Sequence, residues 1–116
     1  MTTKPVEPVH EVRECSSALA RAFGFLGKRW NGVLLGTLME GPAGFADLKR
    51  AVRGISDSVL SDRLAELTRA GLLVREVDEG PPLKVSYMLS DSGQALVPAL
   101  EALRQWGDQH LPPESC

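Results

Sequence analysis

Across residues 56–71, leucines at positions 60, 64 and 67 are flanked by Val59 and Ala70. Their i, i+4, i+7 spacing makes one apolar stripe along an α-helix, and both ends of that helix are marked. Ser56 can accept a first-turn N–H as N-cap, and Asp57 places negative charge at the positive end of the helix dipole. Arg69 falls in the last turn, and Gly71 can take the left-handed conformation that ends a helix. At about 100° per residue the opposite face collects Ser58, Ser61, Asp62, Ala65 and Arg69. That face is small and polar. It can enter a DNA major groove and bond base edges, or it can be an ordinary solvated surface; the helix alone does not decide.

Upstream, Leu19, Ala22, Phe23 and Leu26 recur at helical spacing, and Gly27 can stop that helix. Residues 30–39 are apolar nearly all round, which predicts a helix buried on most sides. Gly32 and Gly36 inside it each cost about 1 kcal/mol relative to Ala. Either another backbone approaches closely there, the commoner reason for glycine in a helix, or a bound ligand does. Residues 40–44 read as a turn. Phe45, Leu48 and Val52 then mark a short helix with Asp47 and Arg50 outward and Lys49 and Arg53 at its flanks. Arg53-Gly54-Ile55 leads tightly into the 56–71 helix, and two helices so joined match a helix-turn-helix.

After Gly71 the period changes. Residues 72–77 are one strand candidate, and 84–89 are the second, with Val85, Tyr87 and Leu89 alternating against Lys84, Ser86 and Met88. A helix-turn-helix followed directly by a hairpin is a winged helix. Ser90 caps a last helix in which Leu96, Leu100, Leu103 and Trp106 run at near-heptad spacing and Pro98 should introduce a kink. Such a stripe, with Leu19 and Phe23 of the first helix, asks for a second subunit to cover it. The predicted fold is mainly α with a small β-hairpin (α+β), a winged helix-turn-helix with N- and C-terminal dimerisation helices. It is one domain over 1–116: a loose arm (1–11), a DNA-binding core (28–92), dimerisation helices (12–27 and 90–110) and a frayed tail (111–116).

Composition narrows the function. At 116 residues, 43% hydrophobic and 24% charged, the chain is a single globular domain. Its net charge of −2 means that DNA contact must come from local clustering of its 13 basic residues. Cys15 and Cys116 make no disulfide framework, so free thiols in a cytoplasmic protein are expected. The polar start is no signal peptide, and no apolar run approaches the roughly 20 residues of a membrane span. Residues 24–29 faintly resemble a phosphate-binding loop, but Ala22 stands where its first glycine belongs and Arg29 where its Ser/Thr belongs. His10 and His110 lie near the termini, no Ser/His/Asp or paired-carboxylate set can be argued, and metal-ligand spacing is absent. His10 with Cys15 is better read as an incidental pair on the arm. No enzyme, cofactor or metal is expected.

The order of these pieces resembles the HxlR family, a branch of MarR-like winged-helix transcriptional regulators of bacteria and archaea. The resemblance runs over about residues 19–110. It is carried by Leu19-Ala20-Arg21-Ala22 before Gly27-Lys28-Arg29-Trp30, then Gly41-Pro42 with Phe45 and Leu48. Gly54-Ile55-Ser56, Leu60-Ser61-Asp62-Arg63-Leu64 and Leu67 with Gly71-Leu72 come next. Pro81-Pro82 with Val85 and Tyr87, Leu89-Ser90 with Gly93, and Trp106-Gly107 complete it. The resemblance implies a homodimer on double-stranded DNA bearing an inverted-repeat operator. Its recognition helix would start at Ser56, its wing would be residues 78–84, and its terminal helices would form the dimer interface.

On that reading Ser56, Ser58, Ser61 and Asp62 face bases, while Arg50, Arg53, Arg69, Arg75 and Lys84 hold phosphates. Arg63 borders the leucine stripe and either joins the base readers or pairs with an acidic neighbour. Three departures stand out. Asp57-Ser58 replaces the basic or amide residues common at the helix start. Asp78 and Glu79 make the wing acidic, which favours modest, salt-sensitive binding. Thirdly, several members sense oxidants or electrophiles through an N-terminal cysteine; counting back from Trp30, that position is Ser17, with Cys15 two residues earlier. A redox signal at Cys15, or a small-molecule effector in a cavity at Gly32 and Gly36 between the first, second and last helices, could control the protein. The alternative is a ligand-sensing or protein-interaction module on the same fold with weak or no DNA binding.

Overall fold

The computed structural model describes residues 14 and 16–113. The described chain runs α1 (Ser17–Leu26), α2 (Asn31–Leu38), α3 (Phe45–Ala51), α4 (Asp57–Arg69), β1 (Leu73–Asp78), β2 (Lys84–Leu89) and α5 (Asp91–His110). This is the α+β winged helix-turn-helix that the hydrophobic pattern predicts. The arm 1–11, residues 12–13, Cys15 and Cys116 lie outside the described residues.

The leucine stripes build the core. Leu34, Leu35 and Leu38 of α2 meet Leu48 and Val52, Ile55, and then Leu60, Leu64 and Leu67 of α4, all buried. Leu73 and Leu89, register partners across the hairpin, close it from the sheet side. In α4 the Ser56 hydroxyl accepts the Val59 N–H at 3.2 Å. At the other end Gly71 has φ +87°, and the Leu72 N–H returns to the Leu67 carbonyl at 3.0 Å, a Schellman closure that needs the left-handed residue. The hairpin pairs antiparallel from Leu73↔Leu89 to Asp78↔Lys84. Ser90 caps α5 by accepting the Gly93 N–H at 3.1 Å and donates to the Gly71 carbonyl at 2.5 Å, tying the start of α5 to the end of α4.

Four details differ from the sequence reading. The segment read as a turn at 40–44 adds a bridge to the sheet: the Ala43 N–H donates to Tyr87 O at 3.0 Å, and the Tyr87 N–H donates back at 2.9 Å. A single bridge has no side-chain periodicity to betray it. Next, α2 is buried or half-buried on most sides, but its glycines are not closely packed. Its neighbours enclose Leu34, Leu35 and Leu38 but leave Val33 38% exposed. A Cβ at Gly36 would meet nothing within 4 Å, and one at Gly32 only the Leu26 carbonyl at 4.0 Å. Close packing within the protomer therefore does not account for these glycines.

Thirdly, the α5 stripe is divided. Leu100 is buried in the protomer's own core and Leu96 packs half-buried against it, whereas Leu103 and Trp106 are exposed. A 20-residue helix is about 30 Å long; its first turns lie on the core and its last turns run past it. The helix itself continues through Pro98 without interruption. Lastly, Asn31 sits fully buried at the start of α2, its amide donating to the Phe25 carbonyl at 3.0 Å. That bond helps lock the corner between α1 and α2.

Candidate nucleic-acid interface

The packing of α4 dictates what it offers to solvent. Leu60, Leu64 and Leu67 are buried, so Ser58, Ser61, Asp62, Ala65 and Arg69 are turned outward and exposed, as the helical period predicts. Ser56 is exposed as well, but its oxygen is committed to the cap, with the Ser58 hydroxyl 3.5 Å away. The first two turns of α4 therefore carry two hydroxyls and the Asp62 carboxylate, which has no partner among the described residues, on a single face. Asp57 is not a free negative charge. Lys49 of α3 holds it, Nζ to Oδ1 at 3.2 Å, so the acidity expected at this helix start is partly offset locally.

The candidate phosphate-binding residues lie on several elements. Arg50 is exposed at the end of α3 in an ion pair with Asp47 one turn back. Arg53 is exposed on the connection to α4, and Arg69 lies in the last turn of α4, some 20 Å from Ser56 along the axis. Arg75 and Lys84 are exposed on the hairpin, Lys84 standing opposite Asp78 in the register. Asp78 Oδ1 accepts the Gly80 N–H at 3.2 Å, which shapes the turn that follows β1. The face carries hydrogen-bond donors and acceptors, with Arg53 just before its helix and Arg69 in the last turn.

Arg63 takes the second of its two options. It pairs with Glu66, and both side chains keep only 22% of their exposure. Glu66 also accepts from Lys28, Nζ to Oε2 at 2.8 Å, across 38 residues of sequence. The Lys28 hydrogen bond is the main cause holding the Glu66 carboxyl below the usual carboxylate range; desolvation opposes it and the Arg63 charge reinforces it. The i, i+3 relation of Arg63 and Glu66 was readable as a helical pair. Nothing in the local pattern announces Lys28 or Lys49 as partners of α4.

The other expected sites are dispersed. Leu19 and Phe23 of α1 are exposed, as are Leu103 and Trp106 of α5; Leu96 and Leu100 belong to the core. Trp106 stacks at a tilt on His110, ring centroids 5.5 Å apart. Cys15 lies outside the described residues. A concavity of about 740 Å³ lies between the start of α3 and the hairpin, with Asp47, Glu76, Asp78 and Lys84 in its wall. Among the described residues no group of His, Cys, Asp and Glu is placed to hold a metal, and no helix is long and apolar enough to cross a membrane.

A family model described as HxlR-like helix-turn-helix matches residues 25–115. The HTH-type transcriptional regulator YodB of Bacillus subtilis (strain 168) is 38% identical over 92 residues, which span 79% of this chain and 82% of that one. The reduced form of YodB superposes with a TM-score of 0.75 at 34% identity, covering 88% of this chain and 100% of that chain. The redox regulator HypR in its oxidised form gives 0.78 at 27% identity, covering 83% and 99% respectively. YodB is named as a transcriptional regulator and HypR as a redox regulator. With its family match, its relatives and its winged helix-turn-helix in agreement, the chain belongs to the HxlR-like helix-turn-helix family of transcriptional regulators.

Proposed function

We propose that this protein is a homodimeric, sequence-specific DNA-binding regulator that reads an inverted repeat with α4. The observation that carries the reading is the division of α4: its leucines are buried, and its first two turns present Ser58, Ser61 and Asp62 together. Residues 28–92 form the DNA-binding core, with the helices on either side of it pairing the two copies. Ser58 and Ser61 can bond several base types. Asp62 can only accept, which favours a cytosine N4 donor. Arg53, Arg69, Arg75 and Lys84 meet phosphates, and Arg50 joins them by leaving Asp47. Half-sites lie about one helical turn apart, because a dimer two-fold sets two recognition helices on successive major-groove faces.

The signal is redox. This is favoured by the likeness to YodB, solved in a reduced form, and to HypR, solved in an oxidised form. Cys15 is the thiol nearest the N-terminal helix in the sequence. The open face at Gly32 and Gly36 gives a small-molecule cavity no support within one protomer.

The test is a titration of the wild type, Asp62→Ala and Lys84→Ala against a selected operator and its single-base variants at several salt concentrations. Asp62→Ala should relax preference at one position per half-site by about 1–3 kcal/mol, and Lys84→Ala should weaken all duplexes and lower the salt slope by about one per site. Repeating the titration after diamide should show weaker binding for the wild type and not for Cys15→Ser. If Asp62→Ala weakens all duplexes equally while Lys84→Ala changes base preference, α4 is not the reader. An undiminished diamide effect in Cys15→Ser would remove Cys15 as the sensor.

A further inference from the structure

We infer that Lys28 and Glu66 are positioning residues: they set α4 against the corner between α1 and α2, and so fix the spacing at which the two α4 helices of a dimer meet DNA. This rests on the dimeric DNA-binding reading above. The corner that carries Lys28 is rigid. The Gly27 N–H donates to Phe23 O at 2.7 Å, the Lys28 N–H to Phe25 O at 3.4 Å, and the Asn31 N–H to Lys28 O at 3.1 Å. The fully buried Asn31 amide adds its bond to Phe25 O. A Cβ at Gly27 would stand 2.5 Å from the Phe23 carbonyl, so the chain can close this tightly only with glycine there.

From that corner Lys28 reaches the third turn of α4. Glu66 uses one carboxylate oxygen for Lys28 and the other for Arg63. Most exposed ion pairs hold nothing in place, because two flexible side chains lose entropy in high dielectric. Here the Lys28 side chain is half-exposed, but Glu66 is mostly covered, its Oε2 bonds Lys28 while Oε1 is ion-paired with Arg63, and both backbones that anchor the contact are hydrogen-bonded elements. The same corner ends α1, whose outward Leu19 and Phe23 are the proposed contact with the second copy. The tie therefore links the surface that sets the distance between protomers to the helix that reads the groove. It also draws Arg63 back from the DNA-facing side.

The experiment compares the full chain with Lys28→Met, Glu66→Gln, the double variant and the conservative Lys28→Arg. Each is titrated against a selected operator, against operators whose half-sites are one base pair closer or farther apart, and against a single half-site. Both single variants should flatten the spacing preference by about fivefold, and the double variant no further, because the two residues act through one contact. Lys28→Arg should keep the preference, and single half-site affinity should be unchanged in all. Retained spacing preference in either single variant, or additive losses in the double, would overturn the proposal. So would a fall in melting temperature that tracks the loss and is shared by Lys28→Arg, since the pair would then be merely structural. Failure of the wild type to bind any duplex would instead sink the DNA-binding reading. Amide hydrogen exchange across residues 57–69 then judges the tie alone: faster exchange in both single variants supports it, and unchanged exchange refutes it.

Discussion

At Gly93 an added Cβ would stand 2.4 Å from the Leu72 carbonyl oxygen and 3.2 Å from the Leu89 side chain. The nearest atom is backbone, which no rotamer change can relieve. The Gly93 N–H is also held by Ser90, whose hydroxyl bonds the Gly71 carbonyl, so the start of α5 has little freedom to retreat. Gly93→Ala should lower stability by about 1–3 kcal/mol through overpacking. It would appear as a lower urea midpoint at unchanged slope; a wild-type midpoint would show that the start of α5 can shift. In the sequence, Gly93 was only a glycine shortly after a cap, because the atom that forbids a side chain there belongs to a distant part of the chain. Asn31 was hidden for a related reason, although its partner is only six residues away. Its neighbours Val33, Leu34 and Leu35 made the segment look uniformly apolar, and only the fold brings the Phe25 carbonyl within reach of its amide.

Of the elements, α4 was the most legible. Its cap, stripe and terminal glycine interact over one to two turns of the same helix, and local physics of that range is written in residue spacing. The links between elements were not. Lys49 with Asp57 and Lys28 with Glu66 depend on how α3 and the α1–α2 corner pack on α4. The Lys28–Glu66 link has a pH signature. Glu66 has its carboxyl lowered in the folded protein, chiefly by the Lys28 hydrogen bond. Its contribution to stability is thus fully present above the ordinary glutamate range, around pH 4.3. It is lost as the pH falls through the lowered folded-state value. Glu66→Gln should therefore melt below the wild type at neutral pH, and the gap should close as the pH is taken below about 4. A gap that is constant with pH would mean the carboxylate charge is not what the contact uses.

For the whole molecule the question is what covers α1. None of its residues is buried; Phe25 and Leu26 at its end touch the core, while Leu19 and Phe23 are 58% and 55% exposed. Isolated helices shorter than about 12–15 residues are marginal in water, and α1 has ten. Leu103 and Trp106 of α5 are exposed too, at 47% and 54%. A second copy of the chain can cover these groups in a self-complementary interface, recovering about 25 cal/mol for each Å² of apolar surface removed from water. The choice of test residue follows from the divided α5 stripe. Leu100→Asp would place a charge in the protomer's own core and unfold it, so its effect on assembly could not be read. Phe23→Asp disturbs the protomer's packing far less, because that side chain is 55% exposed and lies outside the buried core. Sedimentation at micromolar concentration should find the wild type dimeric and Phe23→Asp monomeric, with the circular dichroism of the α2–α5 core retained. Dimeric Phe23→Asp would exclude the α1 face as the seam, and a monomeric wild type would remove the geometric basis for an inverted-repeat operator.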